Sequence, residues 1–213
     1  MKRIATLLIL LAAMLPLQAQ ITHSDHGQVD QKADALLKRA AAQFGNVSFK
    51  VTASMLDAQK KETLRQSAQV LYCKGCYRVS VADQEVICDG KTVWQWNKKA
   101  REVAVNNMGT DDVDLMNPAR LLKNYDQSFR AKYIRTDEGV AVVDLQPRSA
   151  RSFHKIRLYV NEKSGLLQRM EVHKYDSSRE VYEITEFKRA STPASKFTFD
   201  PQQHPEVELI DMR

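Results

Sequence analysis

The sequence predicts a mainly β protein: one large curled antiparallel sheet, with an amphipathic helix before it and a helical insertion in its middle. Three observations carry this. The apolar residues recur with a period of two over most of the 213-residue chain. Short turn signals separate the runs, as in a meander rather than in βαβ units. Only two stretches break the pattern toward a helical spacing.

The N-terminus comes first. Met1, Lys2 and Arg3 precede an apolar run from Ile4 to Leu17, broken only by Thr6 and Pro16. The run is shorter than the ~20 residues needed to span a bilayer, and Leu17-Gln18-Ala19 puts a small residue at a cleavage position. Residues 1–19 therefore read as a secretory signal peptide and residues 20–213 as a single exported domain. Residue 20 is Gln20, not a cysteine, so no lipid anchor is expected at the cut.

Residues 20–28 are polar. Val29, Ala33, Leu36, Leu37, Ala40 and Phe44 then recur at helical spacing until Gly45. Alternation follows in Phe49–Met55, Ala68–Tyr72, Tyr77–Val81, Val86–Cys88, Thr92–Trp96 and Val103–Val105, with turns at Lys74-Gly75, Ala82-Asp83-Gln84, Asp89-Gly90 and Asn97-Lys98-Lys99. Residues 107–128 interrupt it. There Asn117 is placed to cap a short helix that begins at Pro118, with Leu115, Leu121, Leu122 and Tyr125 on its apolar side. The acids Asp111, Asp112 and Asp114 lack the glycine and distal glutamate of a calcium loop. Strands resume at Phe129–Tyr133, Val140–Val142, Ile156–Val160, Leu166–Val172 and Val181–Phe187, before Phe197-Thr198-Phe199 and a Pro-rich tail.

About ten strands exceed what a flat open sheet tolerates, so the sheet should curl and acquire a concave face. Alternation assigns to that face Phe49, Val51, Tyr72, Tyr77, Val79, Trp94, Trp96, Tyr133, Ile156, Leu158, Met170, Tyr182 and Ile184. Composition leaves open whether the two helical segments fill a solid core there or form a lid over an apolar cavity.

The net charge is +6. Basic residues are scattered among acids, so no nucleic-acid footprint is expected. Three cysteines occur. Cys73 and Cys76 flank a Lys-Gly turn between strands rather than opening a helix. They read as a hairpin-closing disulfide or as structural thiols, not as a redox motif. Counting the next hairpin around Asp83-Gln84 sets Cys88 opposite Val79, as a buried thiol. No acid–base or metal constellation stands out: His154 and His173 lie in strand-like runs, and His23, Asp25 and His26 in the polar N-terminal segment. No enzyme activity, cofactor or metal is expected.

The order of the motifs is more specific than any one of them. Asp89-Gly90-Lys91-Thr92-Val93-Trp94-Gln95-Trp96-Asn97 resembles a strand pair of the LolA family of periplasmic lipoprotein carriers. The helix with Asn46-Val47-Ser48-Phe49 lies before it. Asn117-Pro118-Ala119-Arg120-Leu121-Leu122, Val143-Asp144-Leu145-Gln146-Pro147, Lys155-Ile156-Arg157-Leu158-Tyr159-Val160 and Lys196-Phe197-Thr198-Phe199-Asp200-Pro201 follow in the family's order. The resemblance implies an unclosed β-barrel with a helical lid, a monomer that takes the acyl chains of lipoproteins into its cavity. An inner-membrane lipoprotein-releasing ABC transporter would load it and an outer-membrane acceptor would unload it. It also implies cavity positions at Tyr77 and Val79 and lid residues at Leu121 and Leu122. One departure stands out. Lys74-Gly75 replaces the family's usual Arg-Pro, leaving Lys74, a point donor without the guanidinium's planar fork, as the candidate lid latch. Relatives of this fold also serve as lipid- or glycolipid-binding modules and lipid-sensing regulators, which is the alternative reading. A cavity too small for an acyl chain would favour a solid core.

Overall fold

The computed structural model describes residues 29–109 and 118–213. Helix α1, Gln31–Gln43, opens the described chain. Asp30 caps it by accepting from the Ala33 N–H at 3.0 Å, and its stripe of Ala33, Leu36, Leu37 and Ala40 is buried. The signal-peptide reading, Leu115, the Asn117 cap and the Asp111–Asp114 cluster lie outside the described residues.

Six strands run before the insertion: β1 (Asn46–Leu56), β2 (Glu62–Cys73), β3 (Cys76–Val81), β4 (Gln84–Cys88), β5 (Thr92–Asn97) and β6 (Glu102–Asn107). Two short helices follow, α2 (Pro118–Lys123) and α3 (Tyr125–Ser128). Then come β7 (Phe129–Asp137), β8 (Val140–Pro147), β9 (Phe153–Asn161), β10 (Leu167–Lys174), β11 (Arg179–Arg189) and β12 (Glu208–Asp211). All twelve join one sheet in the order β12-β6-β5-β4-β3-β2-β1-β11-β10-β9-β8-β7. Every pairing is antiparallel except β12 on β6. The sheet is curled and unclosed, as expected for a large antiparallel sheet covered by an N-terminal and a central helix.

This order explains where the helices go. Two meanders, β1 to β6 and β7 to β11, meet only at the β1–β11 pair. The link from β6 to β7 must therefore pass from near one edge of the sheet to the other. Its described helices lie on the concave side, where α2 packs on α1.

The main core lies between the concave face and the helices. It holds the α1 stripe, Phe49, Tyr72, Val79, Leu121, Leu122, Phe129, Leu158 and Met170. A second cluster, Ile87, Val103, Val105 and Phe199 with Trp94 and Trp96, sits on the opposite face under the C-terminal segment. The convex face carries buried carboxylates held by cations. Asp144 accepts from Arg157 at 2.7 and 2.8 Å, Glu171 pairs with Arg169 at 2.7 Å, and Glu85 pairs with Lys98 at 2.8 Å and with Arg78. Such pairs lower the carboxylates' charge cost but add little net stability.

One register reading needs correction. The β3–β4 turn is Ala82-Asp83, with Ala82 at φ +47°, so Cys88 lies opposite Tyr77 and not Val79. The tail is no plain coil either: β12 adds a parallel strand that its flanking acidic and turn residues hide from a period-two reading.

Candidate functional site

A cavity of ≈120 Å³ lies between the concave face and the start of α2. Strand alternation builds its floor. Phe49, Val51 and Ala53 of β1, Ala68 and Val70 of β2, Val79 and Val81 of β3, Met170 of β10, and Tyr182 and Ile184 of β11 line it, with Pro118 above and Leu167 at the side. Register puts many of these in rows: Ala53 opposite Tyr182, which is opposite Met170; and Val51 opposite both Ala68 and Ile184. The lining is apolar apart from Gln66, Ser67 and the Tyr182 hydroxyl. That hydroxyl donates to Glu180 Oε2 at 2.8 Å, and Lys174 Nζ sits 2.6 Å from Glu180 Oε1. Burial, then the Glu180 carboxylate, push the Tyr182 phenol well above its ordinary range, so it remains a neutral donor.

The same face continues past the cavity toward the β1–β2 turn. There Met55 and Leu64 are register partners and stay 44% and 41% exposed, an uncovered apolar lip.

Of the residues assigned to the concave face by alternation, Phe49, Val51, Val79, Met170, Tyr182 and Ile184 line the cavity. Tyr72, Tyr77, Tyr133, Ile156 and Leu158 share its face but belong to the packed core around it. Trp94 and Trp96 do not belong there. Trp94 pairs with Ile87 and Val105, which face away from Cys88 and Val86, so both indoles lie on the convex side. The C-terminal segment supplies their cover: Trp96 packs on Phe199 at 5.4 Å and on His204 at 4.6 Å between ring centroids. Alternation cannot say which face a strand's heavier side chains take when a distant segment can bury either. Ala53, Ala68 and Val70 were legible as inward residues, but nothing in their small bulk marked them as cavity walls.

The helices α2 and α3 are tied to α1. Among the described residues, the Lys74 side chain bonds to nothing in α2 or α3; its backbone N–H donates to the Gly45 carbonyl at 3.2 Å. Leu121 and Leu122, each 1% exposed, and Tyr125 pack into the core beneath. Tyr125 Oη donates to Asp34 Oδ1 of α1 at 2.8 Å, and Asp34 also pairs with Lys38 at 2.9 Å. At the helix start, Asp30 accepts from the Tyr133 N–H at 2.8 Å, which ties α1 to β7. Asp30 and Asp34 look like ordinary solvent-facing helix acids in sequence, and only the packing reveals their second partners.

The three cysteines are thiols, with no disulfide joining Cys73 to Cys76. The pair closes the Lys74-Gly75 hairpin as register partners. Cys76 Sγ donates to the Asp89 carbonyl at 3.2 Å, and burial, then Asp89, push its thiol upward, opposite to a redox-active cysteine. Cys88 Sγ accepts from the Gly90 N–H at 3.3 Å.

An apolar cavity under a short helical cover, with no charged group in its lining, suits an aliphatic guest and offers no chemistry of its own. The sequence model of the family described as outer membrane lipoprotein carrier protein LolA matches residues 80–200, more than half the chain. The chain belongs to the LolA family. Its fold agrees: an uncharacterized conserved protein from Thermus thermophilus superposes with a TM-score of 0.58 at 14% identity, over 85% of this chain and 99% of that one. A LolA superfamily protein from Nitrosomonas europaea aligns with a TM-score of 0.46 at 14% identity, over 79% of this chain and 98% of that one. No curated protein sequence matches significantly. In this LolA-family chain no helix among the described residues is long and apolar enough to cross a membrane.

Proposed function

We propose that this LolA-family protein is a periplasmic carrier that takes lipoprotein acyl chains into the cavity over β1, β2 and β11. In this reading the signal peptide is removed near Ala19, and residues 20–213 form one diffusing domain. The partners are acylated lipoproteins, an inner-membrane lipoprotein-releasing ABC transporter and an outer-membrane acceptor. No catalysis is needed. Each buried methylene is worth about 0.8 kcal/mol, so a 16-carbon chain carries on the order of 12 kcal/mol of exposure cost in water. A guest with several such chains needs an apolar cleft to cross an aqueous space.

The observation that supports this most is the uncharged cavity lining continuing to the exposed Met55–Leu64 lip. Its size constrains the mechanism. At ≈120 Å³ it is smaller than the roughly 300–1,000 Å³ of pockets that bury most of a drug-sized guest. In this reading a whole chain enters as α2 and α3 move outward. Native mass spectrometry of the mature protein with a lipidated client peptide tests the reading. Wild type should retain the peptide, and Val79→Glu should lose it while keeping its circular dichroism spectrum. Equal retention by both would remove the cavity from the function.

The Lys74-Gly75 turn, which stands where the family usually has Arg-Pro, favours a second reading, a lipid-sensing regulator of the same fold. Depletion in the host separates the two: lipoproteins that still reach the outer membrane would rule out the carrier.

A further inference from the structure

A second cleft, of ≈380 Å³, opens at the end of the sheet where the β1–β2 loop meets the β10–β11 turn. Its walls carry cationic and polar groups beside Ala58 and Tyr175. Lys60 comes from the loop, His154 from β9, His173 and Lys174 from β10, and Arg179 from β11, with Ser177 in the turn. Among the described residues no carboxylate lines it. Two acids stand behind the wall and orient it: Glu180 holds Lys174 at 2.6 Å, and Glu171 lies 3.7 Å from Arg179 and 3.1 Å from His173 Nε2. His173 Nε2 is buried there without a hydrogen bond, despite that short distance. Lys60 has no ion pair among the described residues. It is carried by a firm turn, in which Asp57 Oδ1 accepts from the Gln59 and Lys61 N–H groups at 3.0 and 2.9 Å. Burial first, then Lys155, depress the His173 imidazole against the opposing pull of Glu171.

We propose that this cleft binds a phosphate-bearing group. Donors reach it from three directions: the loop, the β10 strand, and the β9 and β11 strands on either side. That arrangement matches the tetrahedral oxygens of a phosphate better than a planar carboxylate, which one guanidinium satisfies. Lysine and arginine beside both imidazoles also repel a metal cation. The volume suits a headgroup or sugar phosphate rather than a bare ion. The row Leu56–Arg179–His173, which borders the cleft, faces away from the concave side, whereas the next row, Met55–Glu180–Val172, faces toward it, so the cleft and the apolar lip lie on opposite faces of the sheet end. The site stands on its own geometry and does not depend on the carrier reading.

The test is an NMR titration of the mature chain with inorganic phosphate at constant pH and ionic strength, read at the imidazoles. His154 and His173 should shift saturably, and His204, which packs on Trp96 of β5 in the other meander, should not. Lys60→Gln should weaken binding about fivefold, and Lys60→Gln with His154→Gln more than tenfold, read at His173. Should the double variant lose its native spectrum, Lys60→Gln alone decides, because that residue is exposed on a loop. Vesicles of phosphatidylcholine, with and without phosphatidylglycerol, then identify the source. Binding that requires phosphatidylglycerol and Lys60 assigns a lipid headgroup, and phosphate binding without vesicle binding assigns a soluble phosphate compound. No saturable shift at His154 and His173, or the same affinity in Lys60→Gln, would overturn the site.

Discussion

Tyr125 Oη donates a 2.8 Å hydrogen bond to Asp34 Oδ1, joining the central helices to α1 across 91 positions of sequence. Burial, then Asp34, hold the phenol above its ordinary range, so the donor is always protonated. Tyr125→Phe should cost about 1 kcal/mol of stability, because Asp34 keeps Lys38 and is not left as a buried orphan. It should also speed hydrogen exchange over residues 118–128 and the uptake of a fluorescent fatty acid. Unchanged exchange there would place the tie elsewhere.

Filling the cavity should separate binding from folding. Ala68 lines the cavity and is only partly buried, with room in front of it. Ala68→Phe should abolish retention of a lipidated peptide while changing the urea midpoint by no more than overpacking allows, about 1–3 kcal/mol. Full retention by this variant would show that the acyl chain binds somewhere else.

The convex placement of the indoles predicts a spectroscopic silence. A fatty acid brominated along its chain should quench Trp94 and Trp96 little when bound, because the sheet lies between them and the cavity. Phe199→Ala should instead red-shift their emission and cost roughly 3 kcal/mol, by opening the cluster that covers Trp96. Strong quenching by the bound chain would contradict the face assignment.

Acid should destabilise the fold in two stages. Burial, then Lys155, depress His173, so the native state holds it neutral while the unfolded chain takes up a proton near pH ~6.5. Stability therefore falls as pH drops below that value, and His173→Gln should flatten this stage. Burial raises Asp144, but the Arg157 fork and Lys155 more than offset it and leave the carboxyl below its usual range. Its contribution is present above pH ~3.9 and is lost as pH falls through the native value. Asp144→Asn should remove the second stage and lower stability at neutral pH, since Arg157 loses its partner. Urea midpoints measured from pH 7 to 3 check both.

The period-two runs, turn pairs and helix stripe made the sheet and both helical segments legible in the sequence, because each is a local pattern. Lys74-Gly75 closes its hairpin where expected, with both residues at positive φ. The first half of β2 escaped: Glu62 to Ser67 is exposed, and so has no apolar alternation to betray it. Part of the cavity wall was legible too, in Phe49, Val51, Val79, Met170, Tyr182 and Ile184. The errors arose where a distant segment decides. The tail that covers Trp94 and Trp96 and the partners of the acids that tie α2, α3 and β7 to α1 are set by tertiary contacts that no window of sequence contains.

The seam between β1 and β11 has a temporal meaning as well. It pairs Val47 with Arg189, so its ends lie most of a chain apart, while nearly every other pairing in the sheet is a local hairpin. Local pairings form early and distant ones late, because long loops must be closed first. The cavity straddles that seam, with Phe49 and Val51 on one side and Tyr182 and Ile184 on the other. A chain that emerges N-terminus first therefore has no apolar pocket to fill until its last long strand arrives, and it completes its binding site and its fold in the same step.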